Sequence, residues 1–278
     1  MHTCLEAAER ELGLDLSNLR EAAQRTKKAV ANARNEVDRY LNNCFAPFDS
    51  NFGLDILAFG SMAREEMAPA SDFDYLVVAN RVIAEPQNIY VFREAALSAL
   101  KIIGAEPPGS SGLFGGMVGA PGIVNQIGLD EDTNRSLSHR LLVLQESICL
   151  NAHDDYDKLV ESIIHRYLHD YEDDVQARVP RFLFNDFVRF WRTIAVDYQA
   201  KRWNEMHGTK WGMRYLKLRS SRKWTYAGSL MALFMPVLTG KMTTIEYLKS
   251  QFAMPPLARL AQVLLLIKND GETANCLR

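Results

Sequence analysis

Two aspartates separated by one residue are the part of this sequence best suited to chemistry. Asp72 and Asp74 flank Phe73, and apolar residues follow as far as Val78. In an extended segment side chains alternate between faces, so both carboxylates point the same way while Phe73 points into a core. Two carboxylates in one small space repel unless a divalent cation neutralises them. The spacing predicts a site for Mg²⁺, with Mn²⁺ as the alternative ion, because magnesium prefers hard oxygen ligands.

A glycine–serine pair upstream of the aspartates supplies groups that bind phosphate. Gly60 and Ser61 follow the segment 55–59, Asp-Ile-Leu-Ala-Phe, which reads as a buried strand. Glycine lets the backbone approach an anion closely, and the serine hydroxyl and the N–H groups that begin a following helix cradle it. Arg64 lies one helical turn further on and would add a charge-assisted contact, while Glu66 would hold Arg64 or the loop. These residues predict a triphosphate site beside the metal.

The combined pattern resembles the signature of the DNA polymerase beta-like nucleotidyltransferase superfamily. It reads Gly-Ser-x-Ala-Arg-x-Glu, four further residues, then Ser-Asp-x-Asp, from Gly60 to Asp74. Within the superfamily it is most similar to the bacterial branch that contains the nitrogen-regulatory protein uridylyltransferase and related nucleotidyltransferases. The resemblance is specific over about residues 55–79. Elsewhere only the order of elements and a following helical region agree.

The resemblance implies an activity and a role for each matching residue. Members transfer a nucleoside monophosphate from a nucleoside triphosphate to a hydroxyl and release pyrophosphate. Asp72 and Asp74 would be the catalytic, magnesium-binding residues, and Gly60 and Ser61 would bind the triphosphate, for which ATP is the favoured candidate. We place Ser71, the serine of Ser-Asp-x-Asp, in the same nucleotide-binding set. The metal ions would orient an in-line displacement and neutralise charge on the attacking and leaving oxygens.

One part of the family pattern lacks a counterpart. Many members carry a third carboxylate on a later strand, whereas the strand predicted at residues 123–127 carries Asn125 and Gln126. Three interpretations stay open: Asp130 or Asp132 reaches the metal, the site works with two carboxylates, or the protein binds nucleotide without turning it over. Without a third carboxylate the usual general base is missing.

Hydrophobic periodicity predicts the elements that position these residues. The N-terminal part of the chain reads as helices followed by two strands. The strands are joined by a turn that begins at Gly60 and Ser61, here called the glycine turn. In chain order the predictions are two helices within residues 3–46, strands at 55–59 and 72–78 with a short helix at 62–67 between them, a helix at 89–103 capped by Gly104, a long loop at 105–122 and a third strand at 123–127. The loop is predicted from its six glycines and three prolines.

From Asn134 onward the pattern is almost wholly helical. The apolar stripes cover residues 137–148, 156–171, 182–198, 211–234 and 245–267. The sequence therefore predicts an α+β fold in which a small mixed-sheet nucleotidyltransferase domain with N-terminal helices, residues 1–132, precedes an all-helical domain, residues 133–278. Nucleotide is expected in the cleft between the two.

The second domain contains a basic belt, which we define as residues 181–223. It has eleven Lys and Arg residues against three acids, interleaved with tryptophans, a composition that suits phosphate contact and base stacking. We assign Lys210, Arg214 and Lys217 to the nucleotide-binding set, on the hypothesis that they face the metal site. In the alternative interpretation the aromatic residues are core, and the cations are solvated or pair with the acidic segment 150–178.

His165 and His169 are spaced four residues apart on a predicted helix. They are either a metal-binding pair or exposed surface residues. The second interpretation is favoured because no third ligand accompanies them.

Composition narrows the class of protein. A net charge of −2 and a pI near 6.3 exclude a uniformly basic nucleic-acid binder. The four cysteines are scattered, which argues against a zinc site or a disulfide framework and favours a reducing cytoplasm. No run approaches the roughly 18 apolar residues of a membrane span, and no secretory signal is visible. We therefore expect a cytoplasmic protein with no membrane partner.

The leading function is magnesium-dependent, pyrophosphate-releasing nucleotidyl transfer to an unidentified acceptor. That acceptor is a protein side chain, a tRNA end or a small molecule, and the enzyme would serve as a regulatory modifier or a toxin in bacterial defence. One alternative is a catalytically weak module that binds nucleotides or RNA. Another is a nucleotide cyclase or oligomerase of the same superfamily.

Overall fold

The computed structural model describes residues 1–45, 52–80, 85–109, 112–151, 154–169, 179–204 and 211–269. Within these ranges the chain forms eleven α-helices, one π-helical segment and four strands. The helices are α1 (Thr3–Leu12), α2 (Ser17–Cys44), α3 (Pro86–Ile103), α4 (Ala120–Val124), α5 (Asn134–Gln145), α6 (Asp154–Leu168), α7 (Arg181–Asn204), α8 (Trp211–Lys217), α9 (Lys223–Leu238), α10 (Ile245–Phe252) and α11 (Pro256–Asn269). The π-helical segment is Leu218–Arg222, and the strands are β1 (Leu54–Phe59), β2 (Tyr75–Ala79), β3 (Met117–Gly119) and β4 (Ser147–Cys149).

Spatial contacts divide the chain into two compact units. Unit 1 consists of Met1 and Leu16–Arg166, and unit 2 of His2–Asp15 and Tyr167–Arg278. The division falls at other residues than the predicted boundary at 132/133, because β4 pairs with β1 and so keeps residues 147–149 with the sheet. The boundary between the two predicted domains stays a prediction.

The sheet of unit 1 is mixed, with the strand order β3-β2-β1-β4. β1 pairs antiparallel with β2, with Ala58 opposite Tyr75, and antiparallel with β4, with Phe59 opposite Ser147. β2 pairs parallel with the short β3. The two longest strands are therefore central, and the glycine turn leaves β1 at the end of the sheet where β2 begins.

The core of unit 1 lies between the sheet and the helices α2 and α3. Every residue of β1 and β2 is buried, as expected for strands covered on both faces. Alternate residues of the strands pack in this core against small residues of the helices. The buried residues of the core include Ala33, Val37, Leu41, Ile56, Ala58, Phe73, Tyr75, Val77, Phe92, Ala95 and Ala99. Small alanines on α3 allow the helix to approach the sheet closely.

A buried carboxylate joins α2 to α3 inside this unit. Glu36 forms a bidentate ion pair with Arg39, at 2.6 and 2.8 Å, and accepts a hydrogen bond from the hydroxyl of Ser98. The hydrogen bonds from Arg39 and Ser98 lower the pKa of Glu36 to about 2. The helix pair is thus fixed by a charge as well as by apolar packing.

The predicted fold class is confirmed, since helices surround a small four-stranded mixed sheet and a helical part follows. The two N-terminal helices, β1 and α3 are present, and Gly104 caps α3 with φ +65°. The strand predicted from residue 72 is regular only from Tyr75 to Ala79, while Asp72 makes an isolated bridge with Glu106.

Three predictions of local structure are wrong. Residues 62–65 form turns and residues 66–67 are irregular, so the predicted helix is absent, because Glu65 takes the left-handed φ of +60° and stops helical propagation. The strand predicted at 123–127 is absent as well: α4 runs to Val124, with Pro121 in its first turn where proline suits helix initiation, and turns follow. The segment 105–122 is not wholly a loop, since β3 lies within it and pairs with β2.

Unit 2 is helical within the described residues. α9 and α11 pack closely at Gly228, where an added Cβ would lie 2.8 Å from the carbonyl oxygen of Pro256. The buried Arg259 donates to the Ser229 hydroxyl at 3.0 Å and to the Met254 carbonyl at 3.2 Å. Gly228 and Ser229 are therefore small because another helix crosses there.

In the described part of the chain, no single helix is long and apolar enough to cross a membrane. One pair, Ile245–Phe252 with Pro256–Lys268, meets the criteria only when its two helices, bent by 113°, are counted together.

Candidate active site

The turn after β1 is fixed by its own backbone. The Arg64 N–H donates to the Gly60 carbonyl at 3.0 Å, and the Glu66 N–H donates to the Ser61 carbonyl at 2.8 Å. Gly60 has φ +66° and Glu65 φ +60°. Glycine adopts this left-handed backbone without the clash that a Cβ causes, so Gly60 lets the chain turn sharply at the end of β1.

Asp74 lies directly beside this turn. Its carbonyl accepts a hydrogen bond from the Phe59 N–H at 2.9 Å, which continues the pairing of β1 with β2. A Cβ added to Gly60 would lie 3.6 Å from Asp74 Oδ2 and 3.9 Å from Arg64 Nη1. The bare backbone of Gly60 is thus adjacent to a carboxylate and a guanidinium. The N–H groups of residues 61–63 donate to no acceptor among the described residues, so they are available to an anion.

Asp72 and Asp74 follow the alternation expected of an extended segment. Asp72 is exposed, Phe73 is fully buried, Asp74 is half-buried and Tyr75 is fully buried. Because Phe73 and Tyr75 belong to the core with α2 and α3, the aspartates leave the chain on the other face. A backbone hydrogen bond also fixes this segment, because the Phe73 N–H donates to the Glu106 carbonyl at 2.8 Å.

Arg64 is enclosed by two carboxylates. Its Nε donates to Glu66 Oε2 at 3.0 Å, and its Nη1 donates to Glu146 Oε2. Burial alone would lower the pKa of Arg64, but the charges of Glu146 and Glu66 outweigh that effect and raise it. Glu146 lies between α5 and β4, so this ion pair ties the glycine turn to the strand on the other side of β1.

Helix α2 holds the segment between the turn and the aspartates. Arg25 Nη1 donates to the Met67 carbonyl at 2.7 Å, and the buried Thr26 hydroxyl accepts from the Met67 N–H at 3.0 Å. The hydroxyl of Ser71 accepts from the Ala68 N–H at 2.9 Å and so stabilises the next turn. These contacts fix the backbone of residues 67–71, which precede Asp72.

The same stretch of chain carries the similarity to known proteins. Residues 42–104 match the family described as the nucleotidyltransferase domain. The match runs from the end of α2 to the cap of α3 and includes the glycine turn and both aspartates. It supports the predicted superfamily, while the closer likeness to the uridylyltransferase branch stays a prediction. No curated protein and no solved structure matches the chain.

A third carboxylate for the proposed metal site is not evident among the described residues. Within the described ranges, no three His, Cys, Asp or Glu side chains come together as a metal-binding group. Of the two acids considered as a third ligand, Asp130 is exposed, and Asp132 forms a bidentate pair with the fully buried Arg140, at 2.8 and 3.1 Å. Asp132 therefore has a structural role at the start of α5. Whether Asp130 reaches the metal, the site works with two carboxylates or nucleotide is bound without turnover stays a prediction.

The residues assigned to the basic belt belong to unit 2. Lys210 lies outside the described residues. Arg214 is half-buried and Lys217 is exposed, both on α8. Their contact with nucleotide stays a prediction. His165 and His169 are exposed and belong to no metal-binding group of the described residues, which favours their interpretation as surface residues.

The sequence analysis did not identify Glu146, which contacts the turn through Arg64. Glu146 lies 82 residues from Arg64 along the chain. It falls inside the helical stripe predicted at residues 137–148, and nothing in its local sequence marks it. Its contact with the turn could not be predicted from the sequence. Only the pairing of β4 with β1 brings Glu146 beside the turn, and β4 itself was not predicted.

Proposed function

We propose that this chain transfers a nucleoside monophosphate from a nucleoside triphosphate to an acceptor hydroxyl and releases pyrophosphate. The observation that carries the proposal is the position of Asp74 Oδ2, 3.6 Å from where a Cβ of Gly60 would stand. A carboxylate and an anion-accepting turn are therefore neighbours. The match to the nucleotidyltransferase domain supports the same reaction class.

The donor set suits magnesium. Asp72 and Asp74 offer hard carboxylate oxygens on one face of an extended segment, one exposed and one half-buried, and the side-chain-free Gly60 leaves room for phosphate beside them. We propose that these two aspartates hold Mg²⁺ and that the remaining ligands come from the triphosphate and water. When bound, the ion would neutralise charge on the reacting phosphate oxygens.

The residues of the chain would then bind and orient the triphosphate. The N–H groups of residues 61–63, which lie in turns and not at a helix start, and the Ser61 hydroxyl would donate to the phosphate oxygens. Arg64 adds positive charge next to Gly60 while Glu66 and Glu146 fix its position. This preorganised set lowers the barrier by positioning and electrostatics, which is most of what phosphoryl-type transfer requires of a protein.

The acceptor defines the biological role, and we retain three classes: a protein side chain, a tRNA end and a small molecule. Incubating the full chain with cell lysate, Mg²⁺ and ATP labelled at the α-phosphate tests the reaction, with mass spectrometry identifying the labelled species. Label in a lysate component supports transfer to an external acceptor. A labelled soluble product formed without lysate supports the cyclase or oligomerase alternative.

A second candidate function is nucleotide binding without turnover. The observation that favours it is the lack of a three-acid group within the described ranges, since such a group would supply a general base. The two functions differ in one result. A module without activity is stabilised by Mg²⁺–ATP in a thermal-shift assay but leaves the α-phosphate label unreacted with every triphosphate and every acceptor preparation.

A further inference from the structure

A second charged surface lies in unit 2; it includes Arg214 and Lys217, but the transfer reaction proposed above is argued without them. We define the α8 surface as Arg202 and Trp203 at the end of α7 together with residues 211–224, which form α8, the π-helical segment and the start of α9. Residues 211–224 hold five Lys and Arg and three aromatic rings but no acid. Trp203 is 76% exposed and Trp224 49% exposed. Rings of this size normally lie in a core or an interface.

Aromatic contacts hold the α8 surface in one arrangement. Trp211 stacks on Tyr215, with ring centroids 5.6 Å apart and an interplanar angle of 7°. The Arg202 guanidinium lies 5.7 Å from the Trp211 ring, and Arg219 lies 5.5 Å from the Tyr215 ring while donating to its hydroxyl at 2.8 Å. The Tyr198 ring, 6.4 Å from Tyr215, joins α7 to α8. The cations are therefore carried on a preorganised framework.

Part of the positive charge of this surface has no carboxylate partner. Lys217, Arg222 and Lys223 are exposed and form no ion pair in the described part of the chain. Arg222 ends the π-helical segment, and Lys223 begins α9. π-Helical turns widen a helix locally and occur often at functional sites. Cations spaced along such a segment suit a polyanion with regularly spaced charges.

We propose that the α8 surface binds single-stranded RNA. The exposed cations would contact phosphates, and bases would stack on Trp203 and Trp224, neither of which stacks on another ring among the described residues. Aromatic residues and arginine also occur at protein interfaces, but such interfaces are depleted in lysine, whereas two of the three exposed cations without an ion pair here are Lys217 and Lys223. RNA is the polynucleotide whose unpaired loops and ends are ordinarily recognised by stacking on aromatic rings and arginine. This proposal is independent of the transfer reaction.

Fluorescence anisotropy of the full chain with labelled single-stranded RNA of about 12 nucleotides tests the proposal. Trp203→Ala and Trp224→Ala are each expected to weaken binding about 5- to 100-fold. Arg222→Gln and Lys223→Gln are each expected to reduce the slope of log K against log salt by about 0.7. The matched controls are Tyr90→Ala, an exposed ring on α3, and Lys101→Gln, an exposed cation on the same helix, and both should leave binding unchanged.

Further arms distinguish RNA binding from other uses of the surface. Duplex RNA and single-stranded DNA of the same sequence should bind more weakly than single-stranded RNA. The Asp74→Asn variant should bind RNA like the unaltered protein, so loss of transfer and loss of RNA binding are separable. The proposal is overturned if no RNA binds, if the controls lose as much affinity as the tryptophan variants, or if duplex or DNA binds as tightly. It is equally overturned if light scattering shows self-association that Trp203→Ala and Trp224→Ala abolish while RNA fails to bind.

Discussion

The glycine turn of unit 1 and the α8 surface of unit 2 use arginine in opposite ways. In the turn, Arg64 is nearly enclosed and its charge is matched by Glu66 and Glu146. On the α8 surface, Arg222 and Lys223 are exposed, with no carboxylate partner in the described ranges. An enclosed charge fixes the position of its neighbours, whereas an exposed charge is available to a partner. Substitutions in the turn should therefore change geometry and chemistry together, and substitutions on the surface should change binding alone.

The largest effect is expected at Asp74. Asp74→Asn removes a proposed metal ligand and should reduce the rate of label transfer from ATP at least about 1,000-fold, equivalent to about 4 kcal/mol of transition-state stabilisation. The matched control is Asp157→Asn, an exposed acid on α6, which should retain the full rate. Equal rates for Asp74→Asn and the unaltered enzyme would remove this residue from the reaction.

Breaking the ion pair at Arg64 is expected to have the next largest effect. Glu146→Gln leaves a buried guanidinium with one carboxylate, so the free energy of unfolding should fall by about 2–3 kcal/mol and kcat should fall more than affinity for ATP changes. Urea unfolding and steady-state kinetics measure the two quantities. Asp155→Asn, which removes an exposed pair with Lys158, should cost less than about 0.5 kcal/mol. Similar costs at the two sites would mean that Arg64 is not enclosed as described.

A methyl group on the turn should separate backbone strain from phosphate binding. Gly60→Ala and Gly128→Ala both place alanine at a left-handed φ, so each should lose about 1–2 kcal/mol of stability. Only the Gly60 methyl would lie beside Asp74 Oδ2, since nothing lies within 4 Å of the Gly128 position. Affinity for Mg²⁺–ATP should therefore fall about tenfold in Gly60→Ala alone. Equal affinities in both variants would show that phosphate does not approach Gly60.

The smallest effect concerns the charge between α2 and α3. Hydrogen bonds from Arg39 and Ser98 lower the pKa of Glu36 from 4.5 to about 2. A carboxylate with a lowered folded-state pKa adds stability above its unfolded pKa and loses it as pH falls through the folded value. Unfolding measured from pH 5 to pH 2 should show a loss of about 1–2 kcal/mol that is missing in Glu36→Gln. The control is Asp197→Asn, which removes an exposed ion pair with Lys201 in unit 2. This variant should lose the same stability between pH 5 and pH 2 as the unaltered protein.

Local signals made part of the fold and site predictable. β1 is apolar apart from Asp55 and is followed directly by Gly60, and the capping glycine of α3 follows a clear helical stripe. The alternation around Phe73 likewise follows from its immediate neighbours. These features depend on a few adjacent residues, so their chemistry is visible in the sequence itself.

Features that depend on distant pairing were not predictable. β3 and β4 have three residues each, too few for a periodic signal, and they exist because they pair with β2 and β1. The apolar residues at 123–127 suggest a strand, yet Pro121 favours a helix there. Glu146 reaches Arg64 only through β4, and Asp132 pairs with Arg140 only once α5 has formed. Tertiary contacts override local propensity in each case.

The proposed reaction depends on Asp72 and Asp74 holding a divalent ion beside the phosphate-binding turn. Calorimetric titration of the full chain with a non-hydrolysable ATP analogue, with and without Mg²⁺, measures this dependence, with the doubly substituted Asp72→Asn, Asp74→Asn variant for comparison. We expect tight binding that requires Mg²⁺ in the unaltered protein and no Mg²⁺ dependence in the folded variant. Magnesium-dependent binding of equal strength in both proteins would show that these aspartates do not hold the ion.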